Sequence, residues 1–176
     1  MDAAIERIAM VQGAPGAEIQ DLFSALAGRW APTLRVAGVV AESHGLADRT
    51  CSAGYLRRIS GGQRFSIFED LGPDSTECHL DEDGAGSAAE AVRRDIAAGC
   101  DVVVLSKFGK LEAAGKGLWG AFTSAAEAGV PILTSVSPSV RAAWENFAGT
   151  GVVALPADGG AIDRWLKSVR AHTELG

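Results

Sequence analysis

Residues 101–117 have the sequence Asp101-Val-Val-Val-Leu-Ser-Lys-Phe-Gly-Lys-Leu-Glu-Ala-Ala-Gly-Lys-Gly117. The run from Val102 to Leu105 is apolar without alternation, which predicts a strand buried on both faces at the centre of a parallel sheet. The strand is predicted to end at Leu105, before Ser106, and three lysines follow in ten residues: Lys107, Lys110 and Lys116. Ligands of open α/β sheets bind beyond the carboxyl ends of the strands. We therefore expect an anion at this point.

Apolar runs separated by glycine and proline turns predict alternating strands and helices along the rest of the chain. Strands are predicted at 5–11, 34–41, 130–136 and 152–155, and helices at 17–30, 87–98, 118–128, 138–147 and 158–170. The first strand, helix and second strand should form a βαβ unit with a right-handed crossover.

The segment between the second strand and the helix at 87 has a different character. Two short alternating runs around Ser60-Gly-Gly-Gln63 predict an antiparallel hairpin, at about 55–68, on one edge of the sheet. Residues 42–54 and 70–84 are polar and are predicted as loops, with a short strand at 77–80. The predicted fold is a three-layer α/β fold with a mostly parallel sheet, in one domain over 1–176.

Composition excludes several classes of protein. The chain has 176 residues and a net charge of −6, whereas non-specific nucleic-acid binders carry a basic face that neutralises phosphates. The three cysteines are widely spaced without a CxxC motif, which argues against a disulfide framework. No basic leader precedes the first, short apolar run, so neither a signal peptide nor a membrane span is expected. A cytoplasmic protein is predicted.

A glycine turn lies between the first strand and the first helix, where P-loop proteins place their phosphate cradle. Its residues are Gly13, Ala14, Pro15, Gly16 and Ala17. Ile19 and Gln20 stand where a P-loop needs lysine and then Ser or Thr, and Glu18 adds negative charge nearby. Three interpretations remain open: a plain strand-to-helix turn, a small-anion site built from backbone N–H groups, and a working nucleoside triphosphatase.

The end of the central strand differs from that of a P-loop enzyme in charge. In those enzymes acidic residues at this point hold magnesium, whereas Ser106 and Lys107 stand here. A cation in this position cannot coordinate Mg²⁺, but it can offset the charge of an oxyanion. The alternatives are that Lys110 and Glu112 form a solvated pair and that Lys116 caps a loop.

Other polar residues carry weaker predictions. Cys78 and His79 are adjacent, and strand neighbours point to opposite faces, so no metal site is predicted there or with His44 and Cys51. Arg57 and Arg58 are likewise expected on opposite faces of the hairpin, one leaning over the sheet end and the other in solvent. The four tryptophans fall in predicted helices, and packing in the core explains most of them.

The motif at 102–118, followed by Ala-Gly-Val-Pro-Ile-Leu-Thr-Ser-Val at 128–136, resembles a bacterial family of unknown function that is typically encoded beside molybdate-transport genes. The family motif is close to Asn-Lys-Phe-Gly-Lys-Gln-Glu-Ala-Glu-Gly-Arg-Gly, and this chain has Ser106 for the Asn and Leu111 for the Gln. Cys78 to Asp81 resembles the family's Cys-x-Leu-Asp segment. The resemblance spans nearly the whole chain and implies a role in molybdenum homeostasis.

A more distant resemblance is to the thermophile nucleoside triphosphatase family of P-loop proteins. Its first turn is Gly-x-Pro-Gly-x-Gly-Lys-Thr, matched here by Gly13, Pro15 and Gly16. Its central strand ends Asp-Glu-Ile-Gly-Lys-Met-Glu, matched by Gly109, Lys110 and Glu112. The resemblance implies a P-loop-type scaffold, but the phosphate lysine and both magnesium-side acids are missing, so hydrolysis of nucleotides is not expected.

Together these features predict a binding protein for a tetrahedral oxyanion, molybdate or tungstate, on a degenerate P-loop. Lys107 is the expected principal ligand, residues 13–17 supply backbone N–H donors, and Ser106, Lys110 and Lys116 complete the site. The strands before these two loops are neighbours in P-loop architecture, so their ends are expected to converge over the sheet. An atypical nucleotide-binding P-loop enzyme, or phosphotransferase, is the first alternative. The second is an adaptor that binds another protein through the hairpin edge. The chain is expected to form a homo-oligomer and to bind neither nucleic acid nor membrane.

Overall fold

A computed structural model describes residues 6–43, 53–67 and 82–175 of the chain. Its strands are β1 (Ile8–Gln12), β2 (Val36–Ser43), β3 (Ala53–Arg58), β4 (Arg64–Ser66), β5 (Val102–Phe108), β6 (Ile132–Val136) and β7 (Val152–Pro156). Its α-helices are α1 (Gly16–Trp30), α2 (Glu82–Ala98), α3 (Lys110–Ala113), α4 (Trp119–Ala128), α5 (Arg141–Ala148) and α6 (Gly159–Leu175). A 3₁₀ turn, Pro138–Val140, leads into α5.

All seven strands form one sheet in the order β4-β3-β2-β5-β6-β1-β7. The strands from β2 to β7 along this order are parallel, while β3 pairs antiparallel with β2 and β4 with β3. The α/β class, the mostly parallel sheet and the inserted edge hairpin are therefore confirmed, and the architecture is consistent with a P-loop-type fold. β5 is the middle strand, as its continuous apolar run predicts.

Helices cover both faces of the sheet and enclose two apolar clusters. On one face α1 and α6 contribute Phe23, Leu26, Ile162 and Leu166 to a cluster with alternate residues of β1, β2, β5 and β6. On the other face α2, α4 and α5 pack on the remaining strand residues. Because side chains alternate along a strand, Val102 and Val104 lie in the first cluster, and Val103 and Leu105 in the second. β5 is thus buried from both sides.

The contact between β2 and β5 depends on a glycine. Gly38 has a φ of +125°, and a Cβ atom at this position would lie 1.8 Å from the carbonyl oxygen of Val104. No side chain fits between the strands here, so the residue allows a close backbone approach at the centre of the sheet.

The hairpin places its two arginines on opposite faces, as predicted. The Arg57 guanidinium donates to Ser24 Oγ on α1, at 2.7 Å. Arg58 lies on the other face and donates to the Asp95 carboxylate of α2, at 2.8 Å. The expectation that one of them is simply solvated is wrong, because both side chains are largely covered and bonded.

Several element boundaries differ from the sequence-based expectation. β5 continues to Phe108 rather than ending before Ser106, and β2 continues to Ser43 because its polar end pairs with β3. α2 begins at Glu82, inside the predicted loop, where Ala85 packs closely against the hairpin side of the sheet. The short helix α3 lies in residues 107–118, the lysine segment, for which no helix is predicted. The predicted strand at 77–80 lies outside the described residues.

The tryptophans all lie in helices, as predicted, and none is exposed. Trp144 is buried, while the indole N–H groups of Trp30 and Trp165 donate to Asp163 Oδ1 and the Glu6 carbonyl, each at 2.8 Å. They supply core packing rather than an exposed surface for self-association. Within residues 6–43, 53–67 and 82–175, no helix is both long enough and apolar enough to cross a membrane.

Candidate functional site

The carboxyl end of β5 contains an irregularity that presents Lys107. Leu105 is level with Thr134 on β6, but Phe108 is level with Val136, so β5 has one more residue than its partner between these two pairs. This is a β-bulge, a feature that re-aims side chains and is over-represented beside active sites. Lys107 is exposed between two buried residues, Ser106 and Phe108. The bulge therefore directs one lysine outward from an otherwise buried strand end.

Phe108 anchors the bulge in the core. Its ring is fully buried and lies 5.2 Å from the ring of Trp144 and 5.3 Å from that of Phe122, both at steep interplanar angles. The rings of Trp119 and Phe147 lie 6.3 and 6.0 Å away. Such edge-to-face and offset contacts each add to the free energy gained by burial. The residue next to Lys107 is thus fixed by four aromatic neighbours.

Glu112 is the second fixed point of the lysine segment. Its side chain is buried, with Oε1 accepting a hydrogen bond from Gly109 N–H and Oε2 one from Leu118 N–H, each at 2.8 Å. The alternative that Lys110 and Glu112 form a solvated pair is therefore wrong. Burial raises the pKa of the Glu112 carboxyl, while the two backbone donors and the nearby Lys107 oppose that rise.

The glycine turn connects β1 to α1, as predicted. α1 begins at Gly16 with Pro15 as its N-cap and no side-chain cap, and its first helical bond runs from Ile19 N–H to the Pro15 carbonyl at 3.1 Å. The first N–H groups of a helix have no partner within the helix, which is why helix N-termini bind anions. Ile19, in the position of the P-loop lysine, is buried in the core.

Gln20 joins the first turns of α1 to the ends of two strands. Its Nε2 donates to the Ser106 carbonyl at 2.8 Å, and its Oε1 accepts from Ala41 N–H on β2 at 2.9 Å. The β2–β5 ladder ends at the pair Val39 and Leu105, so the amide of Gln20 occupies the next position between the strands. The Ser106 carbonyl also accepts from Ser135 Oγ on β6, at 2.8 Å. The start of α1 is therefore tied to the strand end that carries Lys107.

The two predicted halves of the site share one edge of the sheet but are not on adjacent strands. The expectation that the strands before the glycine turn and before Lys107 are neighbours is wrong, because β6 lies between β1 and β5. With a spacing of about 4.8 Å between strands, the two strand ends are about 10 Å apart. An anion that contacts both halves has to lie over the end of β6, beside Ser135.

The remaining predicted ligands lie in the segment that follows β5. Lys110 begins α3 and is exposed, as is Lys116 in the turn after that helix. Neither Lys107 nor Lys110 forms an ion pair with a described residue. In the described ranges no group of three His, Cys, Asp or Glu side chains is placed to hold a metal ion. His44, Arg49, Cys51, Cys78 and His79 lie outside those ranges.

Residues 8–165 match the model of a family described as a protein of unknown function, DUF2478. The chain belongs to the DUF2478 family. No solved structure matches it significantly.

A curated relative of this DUF2478 chain is the molybdenum import ATP-binding protein ModC 2 of Bradyrhizobium diazoefficiens. The two are 38% identical over 111 residues, which is 63% of this chain and 12% of the relative. The chain thus spans about an eighth of the length of that protein, and the relative's activity does not transfer to it directly.

The roles of two residues of this DUF2478 chain, Glu112 and Gln20, are not predicted from the sequence. Glu112 has a detectable signal, since a glutamate three residues after an N-cap, here Gly109, commonly reaches back to the N-cap N–H group. Gln20 has a weaker one: it shares the helical face of the buried Phe23 and Ala27, where a polar side chain needs a partner. Neither signal identifies which backbone groups are bound.

Proposed function

We propose that this chain binds a tetrahedral oxyanion, molybdate or tungstate, at the carboxyl edge of its sheet. Lys107 supplies the principal positive charge, and the turn from Gly13 to Ala17 supplies backbone N–H donors. Lys110 and Lys116 add further positive charge, and Ser106 lies next to Lys107 near the end of β5. Such donors match an oxyanion because each oxygen accepts charge-assisted hydrogen bonds.

The observation that carries the proposal is the presentation of Lys107. At the bulge Lys107 is exposed between two buried residues, and it forms no ion pair with a described carboxylate, although the buried Glu112 lies near enough to interact with its charge. A lysine on a flexible loop usually serves only solubility, whereas this one follows Ser106 and precedes Phe108, both of which are buried and held by several elements. A cation at the same edge of the sheet as a helix N-terminus is suited to an anion.

Molybdate and tungstate are proposed over other oxyanions on the basis of relationship. The relative from Bradyrhizobium diazoefficiens is named for molybdenum import, and the sequence motif resembles a family encoded beside molybdate-transport genes. We infer a cytoplasmic role in molybdenum homeostasis, as storage, delivery or sensing. The scaffold is proposed to descend from a P-loop whose phosphate cradle was reused for an anion of similar shape.

Calorimetric titration of the purified protein tests the proposal. Molybdate and tungstate are expected to bind more tightly than sulfate, phosphate or ATP, and elemental analysis of protein as purified is expected to find molybdenum or tungsten. Tighter binding of ATP than of any oxyanion would favour the nucleotide alternative. The absence of heat with every ligand would leave the adaptor role, in which the β4 edge binds another protein.

The nucleotide alternative is supported by the strand–glycine turn–helix opening and by the words ATP-binding in the name of the relative. We nevertheless expect neither ATP nor GTP to be hydrolysed above a buffer blank in the presence of magnesium. Ile19 replaces the phosphate lysine, and Ser106 and Lys107 replace the acids that hold Mg²⁺, so both parts of phosphoryl-transfer catalysis are missing. Turnover of about 1 s⁻¹ that a change of Gly13 abolished would establish an enzyme instead.

We also expect a homo-oligomer, with a C2 dimer as the simplest form. Its basis is the hairpin edge: β4 has a neighbour on one side only in the described sheet, and an edge strand is a template for pairing with a second chain. Tyr55 on β3 is the one large hydrophobic residue exposed in the described part of the chain. Light scattering that returned the monomer mass across a wide range of concentration would contradict this expectation.

A further inference from the structure

The lysine segment is closed by one carboxylate. The two oxygens of Glu112 accept from the N–H groups of Gly109 and Leu118, which stand at the two ends of residues 109–118. Lys110 and Lys116 lie between these ends, and Lys107 lies two residues before them. One side chain therefore joins the two ends of the backbone that carries Lys110 and Lys116, and Lys107 stands just before it.

The segment is also shaped to admit this carboxylate. Gly117 has a φ of +58°, and a Cβ atom there would lie 2.2 Å from Glu112 Oε2 and 2.9 Å from the Cβ of Leu111. No larger residue fits at position 117 while the carboxylate keeps its two bonds. Glu112 and Gly117 thus form a matched pair of positions.

We propose that Glu112 is the positioning residue of the anion site, an inference that rests on the proposed function. By holding Gly109 to Leu118 it positions Lys110 and Lys116 relative to Lys107, which the bulge places, before any anion arrives. Preorganisation of this kind removes part of the ordering cost of binding. The carboxylate acts through the backbone and does not contact the anion.

The negative charge of Glu112 has the opposite effect, because a carboxylate near the site repels an incoming anion. The amide hydrogen bonds fix the segment directly, whereas the repulsion acts over a longer distance and is offset by Lys107. We therefore expect positioning to outweigh repulsion. Two substitutions separate the two effects, since one removes the charge and the other displaces the charge without removing it.

The test compares Glu112→Gln with Gly117→Ala by calorimetric titration with molybdate. Glu112→Gln removes the charge and one of the two acceptors, because a side-chain amide has a single carbonyl oxygen. Gly117→Ala retains the charge and displaces the carboxylate. Each substitution is expected to weaken binding by about ten-fold, the effect of losing roughly one contact. Faster hydrogen exchange at the Gly109 and Leu118 amides should accompany the loss.

Two control variants match these changes. Gly129→Ala also places alanine at a positive φ, +71°, but with open space around the added Cβ. Glu127→Gln removes one exposed carboxylate from α4. Both are expected to bind molybdate as the wild type does. Circular dichroism at the titration temperature verifies that each variant is folded.

The outcomes are distinct. If the wild type binds molybdate and both Glu112→Gln and Gly117→Ala bind it with the same affinity, the positioning role is overturned. The proposed function then still stands. Tighter binding by Glu112→Gln, with no change in Gly117→Ala, would also overturn the positioning role, because charge alone would then explain the effect. A wild-type protein that binds no oxyanion would overturn the proposed function and the positioning role together.

Discussion

Replacing Lys107 with alanine is expected to weaken molybdate binding by about ten-fold to more than a hundred-fold. A charge-assisted hydrogen bond contributes roughly 1.5–3 kcal/mol, and each 1.4 kcal/mol is about a factor of ten in the dissociation constant. The backbone is expected to be unaffected, because the side chain is exposed and forms no ion pair with a described residue. Calorimetric titration of the variant measures the loss.

Lys167→Ala is the matched control for this substitution. Lys167 is exposed on α6, which packs with α1 on one face of the sheet, so its removal changes the net charge equally without removing a proposed ligand. Binding by this variant should stay close to that of the wild type. Equal affinity of wild type and Lys107→Ala would place the anion elsewhere, and the segment that contains His44 and Arg49 would be tested next.

Titration with molybdate in the presence of sulfate tests how the glycine turn contributes to binding. Helix N-termini bind anions through backbone N–H groups and discriminate weakly among them, since the interaction needs no particular side chain. We therefore expect Lys107→Ala to weaken the binding of molybdate and of sulfate by similar factors, so that the ratio of the two affinities changes little. Any preference of molybdate over sulfate has to come from the space over the end of β6, between the turn and Lys107.

Much of the fold can be predicted from local sequence alone. The continuous apolar run of β5 indicates a strand covered on both faces, and the alternating runs around Ser60-Gly-Gly-Gln63 indicate a hairpin. These signals are local because they depend on periodicity and on turn residues. The helices that follow a glycine or proline turn are predicted for the same reason, with errors of a few residues at their ends.

The order of the strands is not a local property, and the position of β6 shows the consequence. The sequence indicates that β1 and β5 end at the same edge, but the insertion of β6 between them depends on how the crossovers pack over the whole sheet. The expected direct convergence of the glycine turn and Lys107 is therefore replaced by a gap of one strand. Gln20 bridges from α1 to the end of β5, a contact between residues 86 positions apart in the sequence.

The bulge at Ser106 and Lys107 is also not predictable from the local sequence. An apolar run followed by two polar residues looks like the end of a strand, because a strand with one extra residue has no periodicity of its own. β5 resumes at Phe108 because that ring is buried among four aromatic residues from α4 and α5. The burial of Glu112 is likewise not predictable from the local sequence, since it depends on two backbone donors that only the folded segment brings together.

Replacing Phe108 with alanine is expected to lower the free energy of unfolding by about 3–5 kcal/mol. The ring is fully buried, and its loss leaves a cavity bounded by Trp144, Phe122 and the neighbouring aromatic rings, which themselves lose edge-to-face contacts. Urea unfolding measures the change, with Tyr55→Ala as a control whose exposed side chain should cost far less. A loss below about 1 kcal/mol would mean that the cluster refills the space. A loss of the expected size would show that the residue after Lys107 is held by the core, and hence that the backbone that carries the proposed anion ligand is anchored there.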